Sequence, residues 1–167
     1  MNSLSSNNIS RRKALGGLAS LATISIVPSR VLGLNGQTAP SNQLTRAILG
    51  CGGISNSHLG MPGKILALCD VDSNRLKGQM AKVQGRGNKD VKGYHDFRDV
   101  IARDDVDIIH TCTPPHWHAH MAIAAAQAGK AIGGEKPMSR TIGEGMAMKK
   151  EIEKAGVAFR INTWFRF

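Results

Sequence analysis

A loop of six residues restricts this chain more than any other feature. The apolar run Leu44 to Leu49 leads directly into Gly50-Cys51-Gly52-Gly53-Ile54-Ser55, and a short helical stretch to about Leu59 follows. The first glycine permits a tight turn and the second lets backbone approach a bound group. The small residue at the third place, Ser55, allows a helix to sit close against the strand. This pattern marks the strand-to-helix junction of a parallel βαβ unit and argues against an all-β or all-α chain. The helix N-terminus that opens there offers unpaired N–H groups to phosphates.

The remainder alternates in the same way. Lys64 to Cys69 is a second apolar strand after the Met61-Pro62-Gly63 turn, and Ser73 is placed to cap a helix running to about Gln84. A short strand is predicted over Val91 to Tyr94, then a helix capped by Asp96 and running through Ala102. Val106 to Thr111 reads as strand four, and His116 to Ala128 as an alanine-rich helix ended by Gly129. Ala131 to Gly133 is a weak fifth strand. Thr141 and Glu144 have capping-box spacing for a helix ending at Gly156, and Val157 to Thr163 is the sixth strand. The expected fold class is therefore α/β, a doubly wound parallel sheet with helices on both faces. A composition that is 41% hydrophobic but only 4% aromatic suits close helix-on-sheet packing better than a β-sandwich.

Asp70 closes the second strand, 20 positions after Gly50. A carboxylate there can accept hydrogen bonds from ribose hydroxyls and repels a 2′-phosphate, so the cofactor expected is NAD; Arg75 and Lys77 leave NADP open. The net charge of +10 is also compatible with an anionic partner. No basic stripe with interleaved aromatic residues is present, so nucleic acid is not an expected partner.

The first 33 residues contain four basic residues, Arg11, Arg12, Lys13 and Arg30, and no acid. Ser10-Arg11-Arg12-Lys13-Ala14-Leu15 resembles a twin-arginine export signal. The apolar stretch from Ala14 to Val27 is too short to span a bilayer, and Val31-Leu32-Gly33 offers a small-residue cleavage site. The expected organisation is a signal peptide over 1–33, a linker over 34–43 and a dinucleotide-binding domain over 44–167. The mature protein is expected in the periplasm without a stable membrane anchor. The cysteines, Cys51, Cys69 and Cys112, are odd in number and lie at strand ends, where they read as small buried residues.

Strand four ends in Thr111-Cys112-Thr113-Pro114-Pro115-His116-Trp117-His118-Ala119-His120, and strand five leads into Glu135-Lys136-Pro137. With Gly50 to Ser55 and Asp70-Val71-Asp72, these segments resemble the glucose–fructose oxidoreductase and inositol dehydrogenase family, Gfo/Idh/MocA. The Glu135-Lys136-Pro137 triplet is its most specific mark. The resemblance implies a Rossmann fold, a nucleotide loop at Gly50, Gly52, Gly53 and Ile54, and a ribose carboxylate at Asp70. It places Thr113, Pro114, His118 and Glu135 at the cofactor side and Lys136 near the nicotinamide and a substrate hydroxyl, with packing an alternative role for His118 and either orienting Lys136 or capping the following segment open for Glu135. It further implies hydride transfer to or from a sugar-like or polyol alcohol, a small-molecule substrate. No metal is expected: His116 and His120 share a helix face but lack an acidic or cysteine partner at ligand spacing.

Two departures from the family pattern carry expectations of their own. The connection from Gly50 to Lys64 is short, so the first helix is expected to be stunted, with the packing under the pyrophosphate in question. The family's second domain, which holds the substrate pocket, is expected to be absent after Phe167. Turnover by this chain alone is then not expected, and Trp164, Phe165 and Phe167 form an apolar end suited to association. A non-catalytic nucleotide-binding module and an inactive gene fragment stay open as alternatives.

Overall fold

A computed structural model describes residue 39 and residues 42–163; the proposed signal peptide and the end at Trp164 to Phe167 lie outside the described residues. Eleven elements alternate along the chain: β1 (Thr45–Leu49), α1 (Ser55–His58), β2 (Lys64–Cys69), α2 (Ser73–Gly85), β3 (Lys92–Tyr94), α3 (Phe97–Ile101), β4 (Ile108–Thr111), α4 (Pro115–Gln127), β5 (Ala131–Glu135), α5 (Ile142–Ala155) and β6 (Phe159–Asn162). All the strand pairs are parallel, in the order β3-β2-β1-β4-β5-β6.

That order explains the two faces. Right-handed crossovers going outward from β1 in opposite directions put their helices on opposite sides of the sheet. One face buries Ile48, Leu59, Ile65, Leu68, Leu76 and Val83 under α1 and α2. The other buries Ala47, Leu49, Val100, Ile109, Ala122, Ala125 and Met148 under α3, α4 and α5. The alanine run of α4 serves close packing against the sheet and α5, since Ala122, Ala125 and Ala126 are buried. The doubly wound α/β expectation is met.

Several local details differ from the sequence reading. Helix α2 is capped by Asp72, whose carboxylate accepts from the Asn74 and Arg75 N–H groups, and Ser73 is already inside the helix. Val106 lies outside β4, although it is buried. There Asp107 Oδ2 accepts from the Thr45 N–H at 2.7 Å, and ladder pairing begins only at Arg46 and Ile108. Strand β5 runs on to Glu135, because Gly133, Gly134 and Glu135 pair with Arg160, Ile161 and Asn162. Its glycines are explained by contact: a Cβ on Gly133 would stand 2.6 Å from the His110 ring. The cap at Thr141 is as expected, its hydroxyl accepting from the Glu144 N–H. Glu144 returns a bond one residue earlier than a standard capping box, to the Arg140 N–H at 2.8 Å.

Candidate functional site

The sheet order reverses between β1 and β4, and the strands there end in Leu49-Gly50 and Thr111-Cys112-Thr113. A crevice outside the carboxyl ends at such a reversal is where an open α/β sheet binds ligands. A cavity of about 610 Å³ opens at this point, lined among others by Gly50, Gly52, Gly53, Ile54, Asp70 and Thr113. Pro114 also borders it, so seven of the residues singled out from the sequence meet at one place.

Gly50 makes the turn possible. Its φ is +94°, and a Cβ there would stand 2.6 Å from the Cys112 carbonyl oxygen. The turn is closed by the Gly50 N–H donating to the Cys69 carbonyl and the Cys112 N–H donating to the Leu49 carbonyl. Gly52, Gly53 and Ile54 then follow with no acceptor for their N–H groups among the described residues, which suits an anionic ligand. Asp70 is oriented by the backbone. Its Oδ2 accepts from the Cys51 N–H at 2.7 Å and its Oδ1 from the Asp72 N–H at 2.9 Å. Each oxygen keeps a free lone pair for a hydroxyl donor. Arg75 also lines the cavity, in an ion pair with Asp72 at 3.6 Å.

The stunted helix is present: α1 has four residues. The chain compensates with buried polar anchors. Ser55 is fully buried, accepts from Gln79 Nε2 at 2.9 Å and donates to the Gly52 carbonyl at 2.6 Å. Arg46, 1% exposed near the start of β1, spreads its guanidinium over carbonyls at the end of α1 and in the following turn. Nη1 donates to His58 O at 2.6 Å, Nη2 to Met61 O at 2.6 Å and Leu59 O at 3.4 Å, and Nε to Gly63 O at 3.1 Å. The His58 carbonyl also accepts from the Met61 N–H at 3.3 Å, but those of Leu59, Met61 and Gly63 would otherwise lack partners.

The remaining predicted residues stand outside the cavity lining. His118 is buried, its Nε2 2.7 Å from Thr113 O and its Nδ1 2.7 Å from Pro137 O, so its ring joins the β4 and β5 loops. Glu135 is also buried, and its Oε1 accepts from His58 Nε2 and Asn162 Nδ2, each at 2.6 Å. Lys136 is exposed and precedes Pro137 through a cis peptide bond. His58 Nδ1 and His110 Nδ1 share a hydrogen bond of 3.1 Å. Burial, with His58 and Arg46 adding to it, pushes the His110 imidazole down to about 3, so it is neutral. Sequence reasoning assigned no role to Arg46, His58, His110 or Asn162. A charged residue inside the apolar run of strand one was the single available signal.

Burial raises the Cys51 and Cys69 thiols to about 12 and raises Cys112 as well, with neighbouring acidic groups adding, so all three are poor nucleophiles. His116 and His120 pack beside the Trp117 ring. Among the described residues no three potential ligands are grouped to hold a metal, and no helix is long and apolar enough to cross a membrane.

The family model described as an oxidoreductase family with an NAD-binding Rossmann fold, Gfo/Idh/MocA, matches residues 44–163. A glycosyl hydrolase family 109 protein of Solibacter usitatus is 32% identical over 149 residues, 80% of this chain and 34% of its own length. D-apiose dehydrogenase of Paraburkholderia graminis is 30% identical over 141 residues, covering 80% and 36% of the two chains. Among solved structures, myo-inositol 2-dehydrogenase from Lactobacillus plantarum superimposes with a TM-score of 0.64 at 26% identity, over 72% of this chain and 36% of the other. The WlbA dehydrogenase of Bordetella pertussis, in complex with NADH and UDP-GlcNAcA, gives 0.65 at 26% identity over 71% and 36%. The chain thus spans about a third of the length of the relatives it matches.

Proposed function

This chain belongs to the Gfo/Idh/MocA oxidoreductases and carries their NAD-binding Rossmann domain, and from that premise we propose that it serves hydride transfer between a nicotinamide and a sugar-like or polyol alcohol. The observation that carries the reading is the convergence of the glycine loop, Asp70 and the Thr113-Pro114 turn on one cavity at the sheet reversal. The unpartnered N–H groups of Gly52, Gly53 and Ile54 fit a pyrophosphate, and the backbone-oriented Asp70 fits a ribose diol.

The nicotinamide supplies the hydride acceptor or donor when it is bound. The chain's own contribution is to hold the cofactor's adenosine end at Asp70, its phosphates at the loop, and an exposed cation, Lys136, at the end of β5. An ammonium at that place can donate to the reacting oxygen and stabilise negative charge on it as the carbon–hydrogen bond breaks. Lys136 is the candidate catalytic residue. A second reading is favoured by relatives named as glycosyl hydrolase family 109 proteins. In that case the hydride would be borrowed and returned during glycosidic cleavage, as NAD-dependent glycosidases exist. The two separate by stoichiometry, since net NADH accumulates only in a dehydrogenase.

Calorimetric titration of the 167-residue chain tests the cofactor assignment. NAD is expected to bind more tightly than NADP, and Asp70→Ala to reduce the preference by about tenfold, the effect of one lost charged hydrogen bond and one relieved repulsion. Tighter NADP binding by the unaltered chain would refute it. Export by the twin-arginine route is proposed on Arg11-Arg12 before the apolar segment. A folded reporter fused to residues 1–40 should be exported, and should stay in the cytoplasm when both arginines are replaced by lysine.

A further inference from the structure

Glu135 is 3% exposed while the next residue, Lys136, is exposed. Its Oε1 receives two donors from distant parts of the chain, His58 at the end of α1 and Asn162 at the end of β6, both at 2.6 Å. The arrangement continues on the far side of His58. His58 Nδ1 is held by His110 Nδ1 at 3.1 Å, and the His110 ring lies in the space that a side chain at residue 133 would fill. The main-chain carbonyl of His58 is held in turn by Arg46. A buried chain of polar contacts therefore runs from the helix that carries the glycine loop, beneath β4 and β5, to the residue before Lys136. His118 grips the other flank of the same segment through Pro137 O. A group held this way from two sides has few rotamers and little backbone freedom, which is what a precise site requires of its supporting residues.

We propose that His58 and Asn162, acting through Glu135, are positioning residues for Lys136: they set where it stands relative to the glycine loop, and so tie the nicotinamide end of the site to the pyrophosphate end. The inference rests on the functional reading above. It assigns Glu135 a role in geometry rather than in cofactor contact, because both bonds to its Oε1 face inward. The short α1 makes such a tie necessary. A single turn cannot lean on the sheet over several turns as a longer helix does, so its register depends on Arg46, Gln79 and Glu135.

The test compares NAD with ADP-ribose, which has the adenosine and pyrophosphate but no nicotinamide, on the full chain and its variants. Asn162→Ala removes one bond to Glu135 without touching α1. It should weaken NAD by about tenfold, the effect of one or two lost hydrogen bonds, and ADP-ribose by less than about twofold. Glu135→Ala should show the same selectivity more strongly. Glu135→Gln keeps an Oε1 acceptor for both donors and should stay within about threefold of the unaltered chain. In a chain already carrying Lys136→Ala, the Asn162→Ala change should add little further loss of NAD affinity, because both act on one segment. Equal weakening for the two ligands, a glutamine variant as poor as the alanine one, or additive effects with Lys136→Ala would each overturn positioning of Lys136 while leaving the cofactor assignment intact. An unaltered chain that binds neither ligand would sink the functional reading and this inference together.

Discussion

Replacing Arg46 by methionine keeps the length of the side chain and removes its five donors. The carbonyls of Leu59, Met61 and Gly63 then lose their partner, and that of His58 keeps only the Met61 N–H at 3.3 Å. Two of those contacts are short, 2.6 Å each, and a hydrogen bond to a charged group contributes about 1.5–3 kcal/mol net, so these two alone represent about 3–6 kcal/mol. Burying the guanidinium costs something that methionine does not, which offsets part of that sum. The net expectation is a loss of about 3 kcal/mol, against total stabilities of about 5–15 kcal/mol for a domain. Urea denaturation of the full chain, followed through tryptophan fluorescence, reads it as a midpoint shift of about 1–3 M at ordinary slopes. Arg46→Lys should fall between the two, because one ammonium cannot span carbonyls that a planar fork reaches together. NAD affinity should decline with stability, since α1 carries the loop. A loss under about 1 kcal/mol, or a lysine variant as stable as the unaltered chain, would show that α1 holds itself in place without this anchor.

Two further outcomes are expected. Gly50→Ala puts a Cβ 2.6 Å from the Cys112 carbonyl at a φ of +94°, and both partners are backbone, so the β1 and β4 loops must separate. Thermal unfolding should show a cost of about 3 kcal/mol or more, with NAD binding lost in the titration; a variant that binds normally would mean the turn has slack. His110, neutral when folded with a value near 3 but about 6.5 when unfolded, makes the unfolded chain bind more protons between those values. Stability from this group is complete well above pH 6.5 and is lost as pH falls toward 3, by about 1.6 kcal/mol between pH 6.5 and 5. Denaturation at the two pH values should show a smaller difference in His110→Asn; an equal difference would place the acid sensitivity elsewhere.

The sequence determined by itself the features that depend on local chemistry. Gly50 to Ser55 after an apolar run, Asp70 at a strand end and Asp96 before Phe97 each specify a turn, an acceptor or a cap through their own backbone and nearest neighbours, and the structure places each accordingly. The alternation of apolar strands and helices sufficed for the doubly wound sheet because parallel strands need crossovers and crossovers have one hand. What joined Arg46, His58, His110, Glu135 and Asn162 was the tertiary structure alone. These residues come from β1, α1, β4, β5 and β6, up to 116 positions apart, and meet only once the sheet order is fixed. The reason is physical: each bears a polar group that costs free energy when buried alone, and only an assembled fold can bring in the partner that makes its burial tolerable. The family triplet Glu135-Lys136-Pro137 could be read along the chain, but that Glu135 turns inward to hold its neighbour's place was decided by His58 and Asn162 on either side.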